Sequence, residues 1–438
     1  MRRLTAISAA LISVLSIHAQ AQTLSGVYQD ALENDYQLKI ARSELNAVIE
    51  DENASWAGVK PTITAGASLT NNTPDGTSGG NPSNDNYNQT QMSVTLTQPL
   101  LNIGNIQMIG VAQATTEKAR FDYQTAEMDL MVRVTEAFFS VLRAQDSLTS
   151  AQAQEKAIKR QLEQARQQFK VGLIPITGVN EAQAAFDGSR AARIGAEGAL
   201  LISEESLQLL TGKSYSKLDT LAEDFPVEAP QPATVQYWID LALVNNPDVK
   251  AAQKQRDVAQ VAVKAAKAAY LPYVNAKAEF AYQNNDLDKK TDLTNLALGV
   301  ELGWQIYAGG STSANINKVG HYLNQSEQGL ELERRSIALS ARSYYIQVTT
   351  SVQQVEARRQ ALISSESALK ATRSGYEVGT RNIVDVLQAE QAYYTAETAY
   401  LDTRYSYLVN LIKLKQAAGT LKQEDIAALD QWLRRKAG

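Results

Sequence analysis

The chain offers few side chains for covalent or metal chemistry. Its 438 residues contain no Cys and only two His, His18 and His321. Without Cys there is no disulfide, thiolate nucleophile or iron–sulfur cluster, and two isolated imidazoles are a poor basis for a zinc site or a Ser-His-Asp triad. We therefore expect no enzyme activity, no catalytic residues, no metal and no cofactor.

One pair of charged residues has an informative spacing. Arg381 and Asp385 are four residues apart, which on a helix allows an ion pair of about 0.2–0.5 kcal/mol. If copies of the chain surrounded an axis, Asp385 would instead become a ring of carboxylates that attract cations and raise one another's pKa. The spacing alone leaves both interpretations open.

The overall charge argues against nucleic acid as a partner. The sequence has 42 Lys and Arg against 47 Asp and Glu, a formal net charge of −5 at pH 7. Because phosphate recognition needs a basic face, we expect no nucleic-acid binding.

Residues 1–21 have the pattern of a secretory signal peptide. Two arginines precede an apolar stretch over 4–17, and Ala19 and Ala21 are small residues at the positions that signal peptidase reads. The stretch is too short and too polar to span a bilayer. We predict cleavage after Ala21 and export, and any place in a membrane would then require β-structure.

Proline placement predicts very long helices. There is no Pro between Pro99 and Pro175 and none after Pro272, and helix interiors exclude proline. The same stretches are rich in strong helix formers such as Ala, Gln, Glu and Leu. We predict one nearly continuous helix from about Asn105 to Phe169, roughly 100 Å long at 1.5 Å per residue. Helices of this length must pack side by side in a bundle or tube.

The chain also repeats itself. Phe169-Lys-Val-Gly-Leu173 corresponds to Tyr376-Glu-Val-Gly-Thr380, and Pro61 corresponds to Pro272. Each half then contains a helix, two strands, a long helix, a turn and a second long helix. The predicted repeats are 22–232 and 233–438.

Four segments alternate apolar and polar residues with a period of two, as strands do. They are about 62–70, 89–98, 273–282 and 294–306. Aromatic residues near their ends, such as Tyr273 and Trp304, are typical of transmembrane barrel strands. A small soluble sheet is the alternative.

Four strands cannot close a barrel, because single-chain barrels begin at about eight strands and an open edge does not survive in lipid. We therefore expect a closed cyclic oligomer. Two copies would give a barrel filled by its own side chains, whereas three would leave a lumen. A homotrimer is favoured for anything that conducts.

Two Val-Gly turns interrupt the long helices. Gly172 and Gly379 can adopt the left-handed conformation that ends a helix, and Thr177 and Asn382 lie where a capping oxygen would start the next one. On sequence alone the turns are tight helical hairpins. Their predicted bounds are about 170–178 and 377–385.

These turns carry a family resemblance. The segment from Tyr376 to Gln388 (YEVGTRNIVDVLQ) and its partner from Phe169 to Gly178 (FKVGLIPITG) resemble the TolC family of outer-membrane channels, the exit ducts of type I secretion and drug efflux. The resemblance implies a mainly α fold with a transmembrane β-barrel contribution. In it a homotrimer forms one 12-stranded outer-membrane barrel and a tapering periplasmic α-helical barrel. An equatorial layer would come from residues near 215–232 and from the tail after Thr420.

The resemblance also implies partners. These are a periplasmic adaptor protein, an inner-membrane pump of the ABC or proton-driven type, and outer-membrane lipid. In the family the adaptor docks at the two turns. The adaptor-facing residues carried over to this chain are Val171, Gly172, Leu173, Val378, Gly379 and Thr380.

The gate is carried over only in part. In the family, a Tyr and an Arg at the tip bond to an Asp and keep it closed. Tyr376 and Arg381 match the Tyr and the Arg, but this chain has Gly178 at the position of the Asp. The usual Arg–Asp latch therefore cannot form, and Glu181 is a candidate substitute. A second acidic ring of the family falls on Gln388. The predicted gate residues are Tyr376, Arg381, Asp385, Thr177, Gly178 and Gln388, and we expect cation-selective conduction with weak divalent block.

A different class of protein shares some of these features. A soluble periplasmic coiled-coil adaptor or structural protein would also have a signal peptide and long hairpins. It would not need two pairs of strands with lipid-facing alternation. The exported substrate is not encoded in the sequence.

Overall fold

The computed structural model describes residues 22–73, 76–78, 81–83, 86–286 and 292–434. The expected signal peptide, residues 1–21, lies outside the described residues. The helices are α1 (Leu24–Asn34), α2 (Tyr36–Ser55), α3 (Ile103–Lys170), α4 (Ile176–Thr211), α5 (Val235–Asn245), α6 (Pro247–Lys267), α7 (Ser311–Glu377), α8 (Ile383–Ala417) and α9 (Gln423–Asp430). The strands are β1 (Thr62–Asn72), β2 (Gly76–Ser78), β3 (Asn81–Ser83), β4 (Tyr87–Leu101), β5 (Thr220–Leu221), β6 (Tyr273–Asn285), β7 (Leu293–Gly303) and β8 (Leu433–Arg434). The mainly helical fold class with a sheet is confirmed.

Two helices dominate the molecule. α3 has 68 residues and α7 has 67, each roughly 100 Å long at 1.5 Å per residue. The helix predicted for Asn105 to Phe169 is therefore confirmed, with two extra residues at its start and one at its end. None of the helices in the described ranges is both long enough and apolar enough to cross a membrane.

The order of elements in the first half recurs in the second. Two short helices (α1 and α2, or α5 and α6) lead into two sheet strands (β1 and β4, or β6 and β7), followed by a long helix and a returning helix. Each returning helix is followed closely by a left-handed glycine, Gly212 with φ 68° and Gly419 with φ 67°. The boundary drawn at 232/233 stays a prediction.

The four long strands form one antiparallel sheet in the order β1-β4-β6-β7. The last predicted strand was drawn too long, since β7 ends at Gly303, which pairs with Tyr273, the first residue of β6. The residue before Tyr273 is Pro272, which has no N–H to extend the ladder. Trp304 therefore leaves the sheet, and its indole Nε1 donates to the carbonyl of Tyr270 at 3.1 Å.

The register gives the sheet one apolar and one polar face, because directly paired residues share a face. For example, Met92 pairs with Tyr282, and Phe280 pairs with Leu296. The apolar face consists of Ile63, Ala65, Ala67, Leu69, Met92, Val94, Leu96, Ala276, Ala278, Phe280, Tyr282, Leu296, Leu298, Val300 and Leu302. The polar face includes Thr62, Thr64, Ser68, Gln91, Ser93, Thr95, Thr97, Asn275, Lys277, Glu279, Gln283, Asn295 and Glu301. The predicted alternation is confirmed.

The chain has two open lateral edges. Within the sheet, β1 pairs only with β4 and β7 pairs only with β6. The helices continue these edges, because α2 and α4 pack mainly on α3, while α7 packs on α6 and α8 at the opposite side. One edge therefore runs through β1, α2 and α4, and the other through β7 and α7.

The main core lies at mid-height of the long helices. Leu130, Phe138 and Leu142 of α3 are buried there with residues of α1, α8 and α9. The segment after α4 joins the C-terminal tail, since Thr220 pairs with Arg434 and the backbone amide of Ala222 donates to the carbonyl of Trp432. The two segments expected to form an equatorial layer thus lie together.

Candidate functional site

The first turn between long helices is a Schellman motif, in which a left-handed residue ends a helix and two amides return to its last carbonyls. α3 ends at Lys170, and Gly172 has a φ of 77°. The amide of Gly172 donates to the carbonyl of Phe169 and that of Leu173 to the carbonyl of Gln168, both at 2.9 Å. The conformation predicted for Gly172 is confirmed.

The second turn repeats this geometry and adds a cap. Gly379 has a φ of 78°, and the amides of Gly379 and Thr380 donate to the carbonyls of Tyr376 and Gly375 at 3.1 and 2.8 Å. Asn382 then starts α8 with a reciprocal capping box. Its side chain accepts from the amide of Asp385 at 2.9 Å, and the Asp385 carboxylate accepts from the amide of Asn382 at 3.1 Å.

Two local predictions at the turns are wrong. Thr177 does not cap α4, because the N-cap position is taken by Pro175 and Thr177 is the second residue of the helix. Arg381 and Asp385 do not share a helical face, because α8 begins only at Ile383. The Asp385 carboxylate is held by the backbone instead, and among the described residues no ion pair involves Arg381, which is exposed.

The outer surface of both turns is apolar and exposed. Val171, Leu173 and Val378 expose 71%, 73% and 75% of their surface. Gly172, Gly379 and Thr380 are also exposed. All six residues predicted to face an adaptor are therefore accessible in a single chain.

Gly178 is buried where the two hairpins meet. A Cβ added at this position would lie 3.3 Å from Cγ2 of Ile383 and 3.5 Å from Cδ1 of Ile174. Any side chain at this position would therefore bring its Cβ against these two isoleucines. The contact belongs to an apolar cluster that joins the two hairpins, formed by Ile158, Leu162, Ala165, Ala182, Ile383 and Leu387.

Tyr376 makes a different contact from the one expected. Its hydroxyl donates to Oε1 of Gln168 at 2.6 Å and so joins the end of α7 to the end of α3. Burial raises the pKa of the Tyr376 phenol, and the hydrogen bond to Gln168 acts in the opposite direction. The phenol therefore stays protonated at neutral pH and acts as a neutral donor.

A buried ion pair above the turns was missed by the sequence analysis. Glu390 of α8 is 0% exposed, and its Oε1 lies 2.8 Å from the guanidinium of Arg373 on α7. Gln161 of α3 reaches the same oxygen at 3.5 Å, while Oε2 of Glu390 has no hydrogen-bond partner. The sequence did contain a signal for this pair, because Glu390 follows the apolar residues Ile383 and Leu387 at helical spacing. A carboxylate in such a stripe indicates a partner on the facing helix.

Among the described residues, no group of His, Cys, Asp or Glu is arranged to hold a metal ion. Gln388 is exposed and Asp385 is half-buried. The arrangement as a whole exposes an apolar surface at both turns, with the side chains of Arg381 and Gln388 exposed nearby.

Comparison with known proteins gives a consistent result over nearly the whole length. Residues 27–213 and 238–420 each match the family model of the outer membrane efflux protein. The chain is 33% identical to the outer membrane protein TolC of Vibrio cholerae, covering 98% of this chain and 97% of the relative. It is 30% identical to TolC of Escherichia coli, covering 96% and 87%. It is 29% identical to the alkaline protease secretion protein AprF of Pseudomonas aeruginosa, covering 97% and 90%.

Solved structures agree on the fold. The structure of CusC superimposes with a TM-score of 0.79 at 18% identity, covering 91% of this chain and 92% of that one. The CmeC outer membrane channel of Campylobacter jejuni gives a TM-score of 0.78 at 17% identity, covering 94% and 89%. The family match decides against the alternative of a soluble periplasmic adaptor. The chain therefore belongs to the outer membrane efflux protein family and is an exit duct of the bacterial outer membrane rather than an enzyme.

Proposed function

We propose that three copies of the chain close into one duct that carries drugs, secreted proteins or both out of the periplasm. The observation that carries this proposal is the pair of open edges, which run the whole length of the molecule. An unpaired strand in lipid leaves its backbone N–H and C=O groups unsatisfied. Pairing β7 of one copy with β1 of the next satisfies both edges, and three copies give 12 strands around a lumen.

The helical edges support the same closure. On α7, Leu332, Leu339 and Ile346 are exposed at intervals of seven residues, the spacing of a coiled-coil seam. On the opposite edge, Tyr36 and Ile40 of α2 are exposed. They lie near the level of Ile346, because α2 begins where Asp35 pairs with Arg133 of α3. The apolar side chains of α7 in one copy would therefore pack against those of α2 in its neighbour.

The two sheet faces set the position in the membrane. The apolar face would contact lipid, and the polar face would line the lumen. The long helices would then form a tube in the periplasm. The equatorial segments cover one side of α3 and α8 in each copy, and this side would face outward because an inward layer would obstruct the duct.

The exposed turns would lie at the periplasmic end and bind partners. We infer that an adaptor protein docks on the apolar surface of Val171, Leu173 and Val378 and couples the duct to an inner-membrane ABC or proton-driven pump. The relatives are named for different cargoes, since AprF is named for protease secretion and the Escherichia coli relative CusC for cation efflux.

We also propose that the gate lies at the turns. Arg381 is exposed and has no ion-pair partner among the described residues of its own chain, so its guanidinium is available to a carboxylate of a neighbouring copy, such as Glu181. Three copies of Asp385 would form an acidic ring, with Gln388 in place of a second ring. Tyr376, Thr177 and Gly178 would form the contacts between hairpins that set the width of the aperture. Cation-selective conduction with weak divalent block follows from this single acidic ring.

Complementation tests the proposed function. Bacteria that lack their own exit duct would express the wild type, Val171→Asp with Val378→Asp, or the control Val244→Asp. Val244 of α5 is 68% exposed but lies far from the turns. We expect wild type and control to restore drug efflux, and the turn variant to reach the outer membrane as a trimer without restoring it. Full efflux by the turn variant would refute docking at the turns. Failure of the wild type to restore either drug efflux or protein secretion, with every pump, would refute the exit duct.

A further inference from the structure

The polar face of the sheet carries very few charges. Among the residues of β1, β4, β6 and β7, the charged ones are Lys277, Glu279 and Glu301. All three lie on the polar face, because Lys277 and Glu279 are two residues apart on β6 and Glu301 pairs with Asn275 of the same strand. Charge on this face is therefore concentrated at one level of the sheet.

Two of the three charges neutralise each other. Nζ of Lys277 lies 2.5 Å from Oε2 of Glu301, with the side chains 47% and 42% exposed. Glu279 is exposed and makes no ion pair or hydrogen bond with any described residue. Its direct strand neighbours are Thr95 and Ala297, neither of which carries charge. Each chain therefore presents one uncompensated carboxylate on this face.

Assembly cannot supply the missing cation. In the proposed trimer, the strand that joins β7 is β1 of the neighbouring copy, followed by its β4. Neither β1 nor β4 contains a charged residue. Glu279 would thus stay unpaired in the closed barrel, and three copies would make a ring with a net charge of about −3 near the middle of the strands.

We propose that Glu279 makes the barrel section of the duct a charge filter that favours cations over anions, separate from the carboxylates at the periplasmic turns. This inference rests on the proposed trimeric duct. The ring faces water in a wide lumen, so its effect is electrostatic and decays over the Debye length, about 10 Å at 0.1 M salt and 3 Å at 1 M. Small ions and cationic or anionic solutes that pass close to the wall would feel it most.

Planar-bilayer recordings on the purified full-length protein test the filter through the reversal potential in a KCl gradient. Glu279→Gln removes the net charge of the ring, whereas Lys277→Gln releases Glu301 and doubles the net negative charge. Glu424→Gln, at an exposed position of α9, is the matched control. Asp385 is unchanged in all of these variants, so its contribution is common to them.

Three unit charges acting across about 10 Å in 0.1 M salt change the ratio of K⁺ to Cl⁻ permeability by roughly two- to fourfold. We expect that ratio to fall in Glu279→Gln, to rise in Lys277→Gln and to stay at the wild-type value in Glu424→Gln. Both differences should shrink in 1 M KCl, because salt screens the ring.

The outcomes separate this inference from the function on which it rests. Conducting channels with the same permeability ratio in all four proteins at 0.1 M salt would overturn the filter and leave the duct intact. A change that persists undiminished in 1 M KCl would also overturn it, because that change would not come from charge in the lumen. A wild type that forms no channel would overturn both.

Discussion

The buried pair of Arg373 and Glu390 gives the sharpest prediction about how α7 and α8, the two arms of the second hairpin, are held together. Arg373→Met keeps the aliphatic length of the side chain but leaves the Glu390 carboxylate buried with no cation. Removing one partner of a buried ion pair typically costs about 3–5 kcal/mol. The Arg373 side chain is 40% exposed, so water already screens part of the interaction, and we expect about 2–3 kcal/mol.

This energy should appear as local opening rather than global unfolding. A cost of 2–3 kcal/mol corresponds to roughly 30- to 150-fold in an equilibrium constant. Hydrogen exchange of the trimer should therefore speed up by that factor at the first turns of α8, around Glu390, and much less in the core around Phe138. Opening of this kind separates α8 from α7, and also from Gln161 of α3.

The double variant Arg373→Met with Glu390→Leu provides the control. It removes the unpaired charge together with its partner, and replacement of a buried pair by apolar residues is often neutral or stabilising. We expect exchange to return close to the wild-type rate. Unchanged exchange in Arg373→Met, or equally fast exchange in the double variant, would show that the ion pair does not hold α7 and α8 together.

Two further predictions concern pH and the turns. Burial and the neighbouring Asp248 raise the pKa of Asp129, and Arg133 and Gln416 act in the opposite direction. The folded protein therefore binds the Asp129 proton more tightly than the unfolded chain does. Because of this difference, the stability of the fold falls as pH rises above about 4. Asp129→Asn should therefore gain more stability over wild type at pH 7 than at pH 4 in denaturant titrations, and equal gains would contradict the shift. Gly379→Ala should cost about 1 kcal/mol because its φ of 78° is strained for other residues. Gly188→Ala, inside α4 with open space around it, should gain about 0.5–1 kcal/mol of stability in thermal unfolding. A change of stability with the same sign in both glycine variants would refute the conformational argument.

The large elements could be predicted from the sequence because each has a strong periodic signal. Absence of proline over α3 and α7 leaves few alternatives to continuous helix, and the alternation in β6 fixes which residues share a face. Left-handed glycines such as Gly172 can also be predicted from the sequence, because few other residues tolerate that conformation. These features depend on residues near one another in the chain.

Features that depend on distant contacts were harder to predict. The end of β7 is set by where its partner β6 begins, so the alternation that continues into Trp304 was misleading. Arg381 precedes the cap of α8, so its spacing to Asp385 did not mean a shared helical face. Gly178 was recognised as a departure from the family pattern, but its contact with Ile383 follows only from how the hairpins pack.

Cysteine cross-linking between β1 and β7 tests the central claim most directly. The chain has no Cys, so a pair introduced at Thr64 and at Asn295, Ala297 or Gly299 in turn can form only the intended disulfide. Within one chain two strands separate these positions, about 14 Å at 4.8 Å per strand, which is too far for a disulfide. We expect at least one of these pairs, when oxidised in outer membranes, to give a series of cross-linked products that ends at three chains. A series that ends at two or continues beyond three, or no cross-link for any pair, would contradict closure of three copies into one duct.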